Sequence, residues 1–158
     1  MDGDQQSLEI GDLITPRSVI AQLRAPGKKQ VLQELARRAA TMTGIADKRI
    51  YDALLERERL GTTGIGTGVA IPHCRLPEVD RLYGMFARLE RPVPFEAIDD
   101  QPVDLVFLLL APTEAGAEHL KALARVSRLL RDRPMCEKLR GANSGDALYA
   151  LLTGGAAG

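Results

Sequence analysis

Apolar residues along the chain recur with two different spacings, and each spacing predicts one kind of element. Steps of three and four residues, typical of an amphipathic helix, run from Lys28 to Met42 and from Asp47 to about Glu58. Gly44 suits the end of the first of these helices. The Asp47 side chain is placed to cap the second helix.

The last third of the chain predicts three further helices. A long helix begins between Thr113 and His119 and continues, with apolar residues at three- and four-residue steps, until Pro134 breaks it. Two short helices follow, over 135–139 and 144–152.

Shorter apolar runs bounded by glycine and proline predict strands. They lie near Ser18–Leu23, at Val69–Ile71, over Leu82–Leu89 and over Val103–Leu110. The last run is nearly continuous in apolar residues, so we expect a central strand that is covered on both faces. Strands interleaved with helices indicate an α/β layered domain with a mixed central sheet.

Composition narrows the class of protein. A chain of 158 residues with 45% hydrophobic residues fits one globular domain, and its net charge of zero gives no reason to expect nucleic acid or an anionic membrane as the main partner. The apolar run Val106–Ala111 is too short to span a bilayer. No secretory signal is visible, and Cys74 and Cys136 form no CxxC pair. We expect a cytoplasmic protein that is not membrane-embedded, with a domain over 8–153 and flexible ends over 1–7 and 154–158.

The stretch Gly61–Gly68 contains four glycines and leads into a short apolar run, Pro72 and His73. Glycine allows the backbone to adopt positive φ and to approach another group closely. Pro72 ends the apolar run and leaves His73 just past a strand. This combination suits a site that handles a small anion. The alternative is a surface turn with an ordinary histidine.

The chain has only two histidines, and both follow predicted strands. Ligands gather at the carboxyl ends of strands in α/β sheets, so His73 and His119 are candidates for one site. Arg57 precedes the glycine stretch, and its planar guanidinium would neutralise an anion on His73. The alternatives are that His119 is only a polar residue of a helix's first turn and that Arg57 is a solvated helix end.

Three other kinds of functional motif match this sequence poorly. The glycine stretch lacks the lysine of a P-loop and does not match GxGxxG. A zinc site would need both histidines and both cysteines to converge, without a recognisable ligand spacing. A Cys–His hydrolase at Cys74 is disfavoured, because adjacent residues of an extended chain project to different sides.

Three blocks of sequence carry a resemblance to a known family: Arg57–His73, Phe95–Leu105 and His119–Leu123. The first resembles the active-site signature of the mannitol/fructose-type IIA proteins of the bacterial phosphotransferase system, and the other two look like that family's later blocks. The similarity runs from about Leu8 to Leu152 and is greatest to the nitrogen-regulatory branch of the family.

The resemblance implies a single-domain, three-layer α/β/α sandwich around a small mixed sheet. It implies that His73 accepts the phosphoryl group, that His119 lies beside it and that Arg57 helps to hold the phosphoryl group. We also expect phosphate contacts from four loop residues (Thr62, Thr63, Gly64 and Thr67). Cys74 and Thr67 depart from the glycine and asparagine common in related sequences. Phosphoryl transfer needs positioning and charge neutralisation, so no metal or cofactor is required.

Three functions remain open. The first is a regulatory phosphocarrier that receives phosphate on His73 from an HPr-like protein and binds targets according to its phosphorylation state; the family suggests sensor kinases, potassium transport systems, and regulators of nitrogen or carbon metabolism. The second is a sugar-specific IIA component that passes phosphate to a IIB domain. The third is a non-catalytic binding module, which would carry no labile phosphate.

Overall fold

A six-stranded mixed sheet forms the centre of the computed structural model, which describes residues 8–154. The strands are β1 Val19–Leu23, β2 Gly64–Gly66, β3 Val69–Ala70, β4 His73–Leu76, β5 Tyr83–Val93 and β6 Val103–Pro112. The strand order is β1-β5-β6-β3-β2, and β4 pairs with β6 beyond β3. The β1–β5, β3–β6 and β4–β6 pairs are parallel, whereas the β5–β6 and β2–β3 pairs are antiparallel.

Strand β6 is buried on both faces, which confirms its predicted central place. Alternate side chains point to opposite faces of a strand, and the apolar residues of β6 divide between two core clusters accordingly. Leu105, Phe107 and Leu109 belong to one cluster. Val106 and Leu108, together with Leu110, belong to the other.

Helices cover the two faces of the sheet. On one face lie α1, Lys28–Thr43, and α2, Asp47–Leu60. On the other lie α3, Ala117–Arg131, α4, Arg133–Gly141, and α5, Gly145–Thr153. The apolar stripes of the helices face the sheet and fill the two clusters. The predicted three-layer α/β/α sandwich is therefore confirmed.

Two short 3₁₀ helices, Ile10–Asp12 and Pro16–Ser18, precede β1. Ile10 is buried in the cluster beneath α3 to α5. None of the helices within residues 8–154 is long and apolar enough to cross a membrane.

The ends of several elements differ from the predictions. Gly44 closes α1 as expected, in a left-handed conformation with φ of 78°. The predicted Asp47 cap is wrong: Ala46 occupies the N-cap position of α2 without a side-chain hydrogen bond, and Asp47 lies in the first helical turn. A carboxylate in that turn still interacts favourably with the helix dipole.

Strands β2 and β4 were not predicted, and β4 changes the placement of His73. The chain does not stop pairing at Pro72; His73 is the first residue of β4 and lies opposite Leu109 of β6. His73 thus lies just past the end of β3 at Ala70, as predicted, and it also begins a further strand, which was not predicted. The flexible ends predicted over 1–7 and from 155 onward lie outside the described residues, whereas Gly154 closes α5 with φ of 78°.

Candidate active site

The two histidines of the chain lie side by side, as their positions after strands predicted. Their ring centroids are 5.6 Å apart, and the rings meet edge to face at 69°. His73 is placed by the pairing of β4 with β6, and His119 by the first turn of α3. Because β6 leads into α3, the same strand positions both rings.

His73 is held in one tautomer by the backbone. Its Nδ1 lies 2.8 Å from the carbonyl oxygen of Ile71. A carbonyl oxygen only accepts, so Nδ1 carries the proton and donates it, which leaves a lone pair on Nε2 of the neutral ring. Burial lowers the pKa of His73, although the hydrogen bond to Ile71 acts in the opposite direction. The ring is therefore a neutral nucleophile near pH 7.

His119 is more deeply buried, with 4% of its surface exposed. Its Nδ1 accepts a hydrogen bond from Nε of Arg75 at 2.9 Å. Its Nε2 is buried and has no hydrogen-bond partner among the described residues. The pKa of His119 is lowered to about 4, mainly by burial and to a smaller extent by the charges of His73 and Arg75. His119 is consequently uncharged at neutral pH.

An open cleft of about 470 Å³ contains both histidines. Arg57 lies in the last turn of α2 and is half-buried at the edge of this cleft, where its Nη1 donates to the carbonyl oxygen of Gly61 at 2.8 Å. The cleft thus combines a neutral nucleophile, a second imidazole and guanidinium groups. Its lining residues are Ala53, Glu56, Arg57, Leu60, His73, Cys74, Arg75, His119, Leu120 and Leu123.

The four loop residues predicted to bind phosphate do not line this cleft, and their polar groups have partners within the fold. The Thr62 hydroxyl donates to the carbonyl oxygen of Phe95 at 2.6 Å and accepts from the Gly64 nitrogen at 3.0 Å. The Thr67 hydroxyl donates to its neighbour's carbonyl, and the Thr67 nitrogen donates to a side-chain oxygen of Asp99 at 2.8 Å. Phosphate contact by these residues stays a prediction, and it would require these bonds to be exchanged.

Sequence reasoning missed two residues that organise the cleft. Glu58 is 7% exposed and binds both Thr63 and Lys28. Its neighbours Glu56, Arg57 and Arg59 are also charged, so its sequence position looks like a solvated helix end. Arg75 could have been found from strand periodicity, because it lies two residues after His73 and therefore on the same face of β4.

The remaining candidates from the sequence do not supply a nucleophile or a metal site. Burial raises the pKa of the Cys74 thiol to about 12, so it stays protonated at neutral pH. Within residues 8–154, no three His, Cys, Asp or Glu side chains cluster where a metal ion could be held. A larger depression of about 700 Å³ lies beside α1, and it is lined by none of the predicted site residues.

Comparison with known proteins gives consistent matches over nearly the whole chain. Residues 12–154 match the family model described as phosphoenolpyruvate-dependent sugar phosphotransferase system, EIIA 2. The chain is 53% identical over 145 residues to a nitrogen regulatory protein of Bradyrhizobium diazoefficiens, covering 92% of this chain and 95% of that protein. It is 37% identical over 141 residues to a fructose-specific EIIA component of Haloferax volcanii, covering 88% of this chain and 92% of that protein.

A solved structure with a similar fold is that of the nitrogen regulatory protein IIA-Ntr from Neisseria meningitidis. The two structures superimpose with a TM-score of 0.87 at 33% sequence identity, over 91% of this chain and 99% of that chain. The structural similarity therefore extends over nearly the whole of both chains, and the residues matched by the family model, 12–154, include both histidines.

Proposed function

The chain belongs to the EIIA 2 family of the phosphoenolpyruvate-dependent sugar phosphotransferase system, and from this membership we propose that it is a regulatory phosphocarrier of the cytoplasm. It accepts a phosphoryl group on His73 from an HPr-like protein and binds its targets according to its phosphorylation state. The observation that carries the proposal is the neutral His73 ring, whose Nδ1 is engaged by Ile71 while Nε2 keeps its lone pair.

The transfer is a displacement at phosphorus. The Nε2 lone pair of His73 forms a new P–N bond while the P–N bond to the donor imidazole breaks, and the donor ring leaves with that electron pair. The His73 ring takes up positive charge, which the Ile71 carbonyl offsets through the Nδ1 hydrogen bond at 2.8 Å. No proton needs to leave His73 during this step.

Charge on the transferred group is neutralised by the lining of the cleft. We assign this role to Arg57, which would exchange its bond to the Gly61 carbonyl for the phosphoryl oxygens. His119 assists through Nε2, which has no other partner in the described part of the chain. Both residues act on the phosphoryl group, and neither carries it.

Exposed apolar side chains at the rim of the cleft support a protein, rather than a small molecule, as the donor. Leu60 and Leu120 both line the cleft and are 82% and 62% exposed. Apolar side chains at the centre of a polar surface are typical of protein interfaces. An HPr-like phosphocarrier that docks on Leu60 and Leu120 would bring its phosphohistidine to His73.

The similarity to a nitrogen regulatory protein at 53% identity supports regulatory targets such as sensor kinases or transport systems. The second candidate is a sugar-specific IIA component that passes phosphate to a IIB domain. The 37% identity to a fructose-specific EIIA component supports this candidate less.

Phosphorylation by a purified, phosphorylated HPr-like donor tests the proposal. We expect one phosphoryl group per chain, stable in alkali and lost in acid, as is typical of a P–N bond. His73→Ala should abolish the label, whereas Arg59→Ala, which changes an exposed residue just beyond Arg57, should keep it. Labelling of His73→Ala at another residue would contradict the assignment, and absence of label in the unmodified protein would favour a non-catalytic binding module.

A second measurement separates the two candidate functions. The labelled protein is mixed with a purified IIB domain and, separately, used with unlabelled protein to capture partners from a cell extract. Partners that distinguish the two forms support the regulatory function. Rapid, complete loss of phosphate to IIB would favour the sugar-specific function instead.

A further inference from the structure

Arg75 and His119 form a side-chain contact that ties β4 to α3 beside the nucleophile. The Nε of Arg75 donates to Nδ1 of His119 at 2.9 Å. Arg75 follows His73 by two residues on β4, whereas His119 comes from the first turn of α3. The contact therefore links the strand that carries His73 to the helix that carries the second imidazole.

The direction of this hydrogen bond determines the tautomer of His119. A guanidinium has donors only and never accepts, so Nδ1 of His119 must be the unprotonated nitrogen. In a neutral imidazole the proton then resides on Nε2. The low pKa of His119, about 4, is consistent with a neutral ring.

The Nε2–H group that results is buried and lacks a partner in the described structure. A buried donor without an acceptor destabilises the folded protein, and such groups are uncommon in folded proteins. The His119 ring lies with its centroid 5.6 Å from that of His73. An oxygen of a phosphoryl group on His73 is the acceptor that would satisfy it.

We propose that Arg75 is a positioning residue that holds the His119 ring as the Nε2–H tautomer, so that this group donates to a phosphoryl oxygen on His73. The inference rests on the proposed function, since it names the arrangement by which His119 assists transfer. Arg75 also adds a positive charge to the cleft, and the experiment must separate that effect from positioning.

The test measures the tautomer directly in the unphosphorylated protein by ¹⁵N NMR of the histidine side chains. In the unmodified chain we expect His119 to show a protonated Nε2 and an unprotonated Nδ1. In Arg75→Ala the two nitrogen shifts should move towards each other as the second tautomer becomes populated. Arg75→Gln retains an N–H donor without the charge and should restore part of the original pattern.

Phosphoryl transfer is then measured on the same variants. Arg75→Ala should slow phosphorylation of His73 by roughly ten- to a hundred-fold, less than the about 10²–10³-fold typical of losing a whole oxyanion donor. Arg75→Gln should recover part of the rate. Arg59→Ala removes an exposed positive charge from the last turn of α2 and serves as the charge control. The ¹⁵N shifts of His119 should be unchanged in this variant.

The outcomes distinguish this inference from the proposed function. An unaltered His119 tautomer in Arg75→Ala, or an altered tautomer with an unaltered transfer rate, would overturn the role of Arg75. Equal rates for Arg75→Gln and Arg75→Ala would reduce Arg75 to a source of charge and would also overturn it. Failure of the unmodified protein to accept phosphate would instead overturn the proposed function, and the NMR measurement does not depend on that result.

Discussion

The Glu58 carboxylate accepts two hydrogen bonds from Thr63, one from the backbone nitrogen at 2.9 Å and one from the hydroxyl at 2.7 Å. Lys28 of α1 completes the environment with an ion pair of 3.0 Å to the same carboxylate. Glu58 therefore joins the end of α2 to the start of the glycine-rich loop. Because Arg57 precedes it on the helix, this anchor also determines where the guanidinium enters the cleft.

Glu58→Gln should affect the stability of the fold more than the reactivity of His73. The amide accepts through only one of its two polar atoms and leaves Lys28 without its buried counter-charge. We expect the free energy of unfolding to fall by about 1–3 kcal/mol, measured by urea denaturation. Glu56→Gln, an exposed change on the same helix, should stay within about 0.5 kcal/mol. A loss for Glu58→Gln no larger than that of Glu56→Gln would show that the anchor contributes nothing.

Arg57 should matter more to transfer than to folding. Removing one preorganised charged donor typically costs about 2–4 kcal/mol of transition-state stabilisation, which is roughly a thirty- to a thousand-fold loss of rate. We expect Arg57→Ala to slow phosphorylation of His73 within that range, with a smaller effect on stability from loss of the bond to the Gly61 carbonyl. The initial rate of label incorporation measures it.

The matched control for Arg57 is Arg59→Ala, which removes an equal charge two residues later on the helix. Its phosphorylation rate should stay within a few-fold of the unmodified protein. Equal rates for the two variants would assign Arg57 to helix termination alone.

His119 should assist transfer without carrying the phosphate. His119→Ala should still be labelled on His73 but more slowly, because the Nε2–H donor is lost, and His119→Gln should recover part of the rate through its amide. Label transfer to and from the donor is measured in both directions. If both variants match the unmodified protein in each direction, His119 is a helix-start residue only.

The sandwich could be predicted because its larger elements carry local signals. The long apolar run of β6 and the apolar stripes of α1 and α3 are local patterns that predict burial. Strands β2 and β4 carry no such run, and their formation depends on distant residues. On β6, strand β3 pairs with Leu105 and Val106, and β4 pairs with the residues from Leu109 onward. The part of β6 that is available to β4 depends on where β3 ends, and the sequence around β4 does not predict this.

The site was predicted only in part, because some of its residues follow local signals and others depend on distant contacts. Both histidines follow predicted strands, which predicted that they lie close together, and the structure shows that their rings are neighbours. The contact of Arg75 with His119 spans 44 positions in the sequence and depends on β4, which was not predicted. The burial of Glu58 depends on how α1 and α2 pack, because Lys28 comes from the other helix.

The buried His119 ring should make stability depend on pH in a defined window. An unfolded histidine has a pKa of about 6.5, whereas burial lowers the pKa of His119 in the folded protein to about 4. As the pH falls below about 6.5, the unfolded chain binds a proton that the folded chain does not, so the free energy of unfolding decreases. This contribution is complete above about pH 6.5 and is lost progressively down to about pH 4.

Urea denaturation of the unmodified protein and of His119→Gln at pH 7, 6, 5 and 4 isolates this effect. Glutamine does not titrate, so the difference between the two free energies of unfolding cancels the carboxylates that also titrate in this range. We expect the unmodified protein to lose on the order of 2 kcal/mol more than His119→Gln between pH 7 and pH 4, since one unit of pKa corresponds to about 1.4 kcal/mol. His73, whose pKa burial also lowers, acts in the same direction and remains in both proteins. Parallel pH profiles would mean that His119 is protonated in the folded protein as readily as in the unfolded chain, and the hydrogen bond accepted from Arg75 would then not persist in solution.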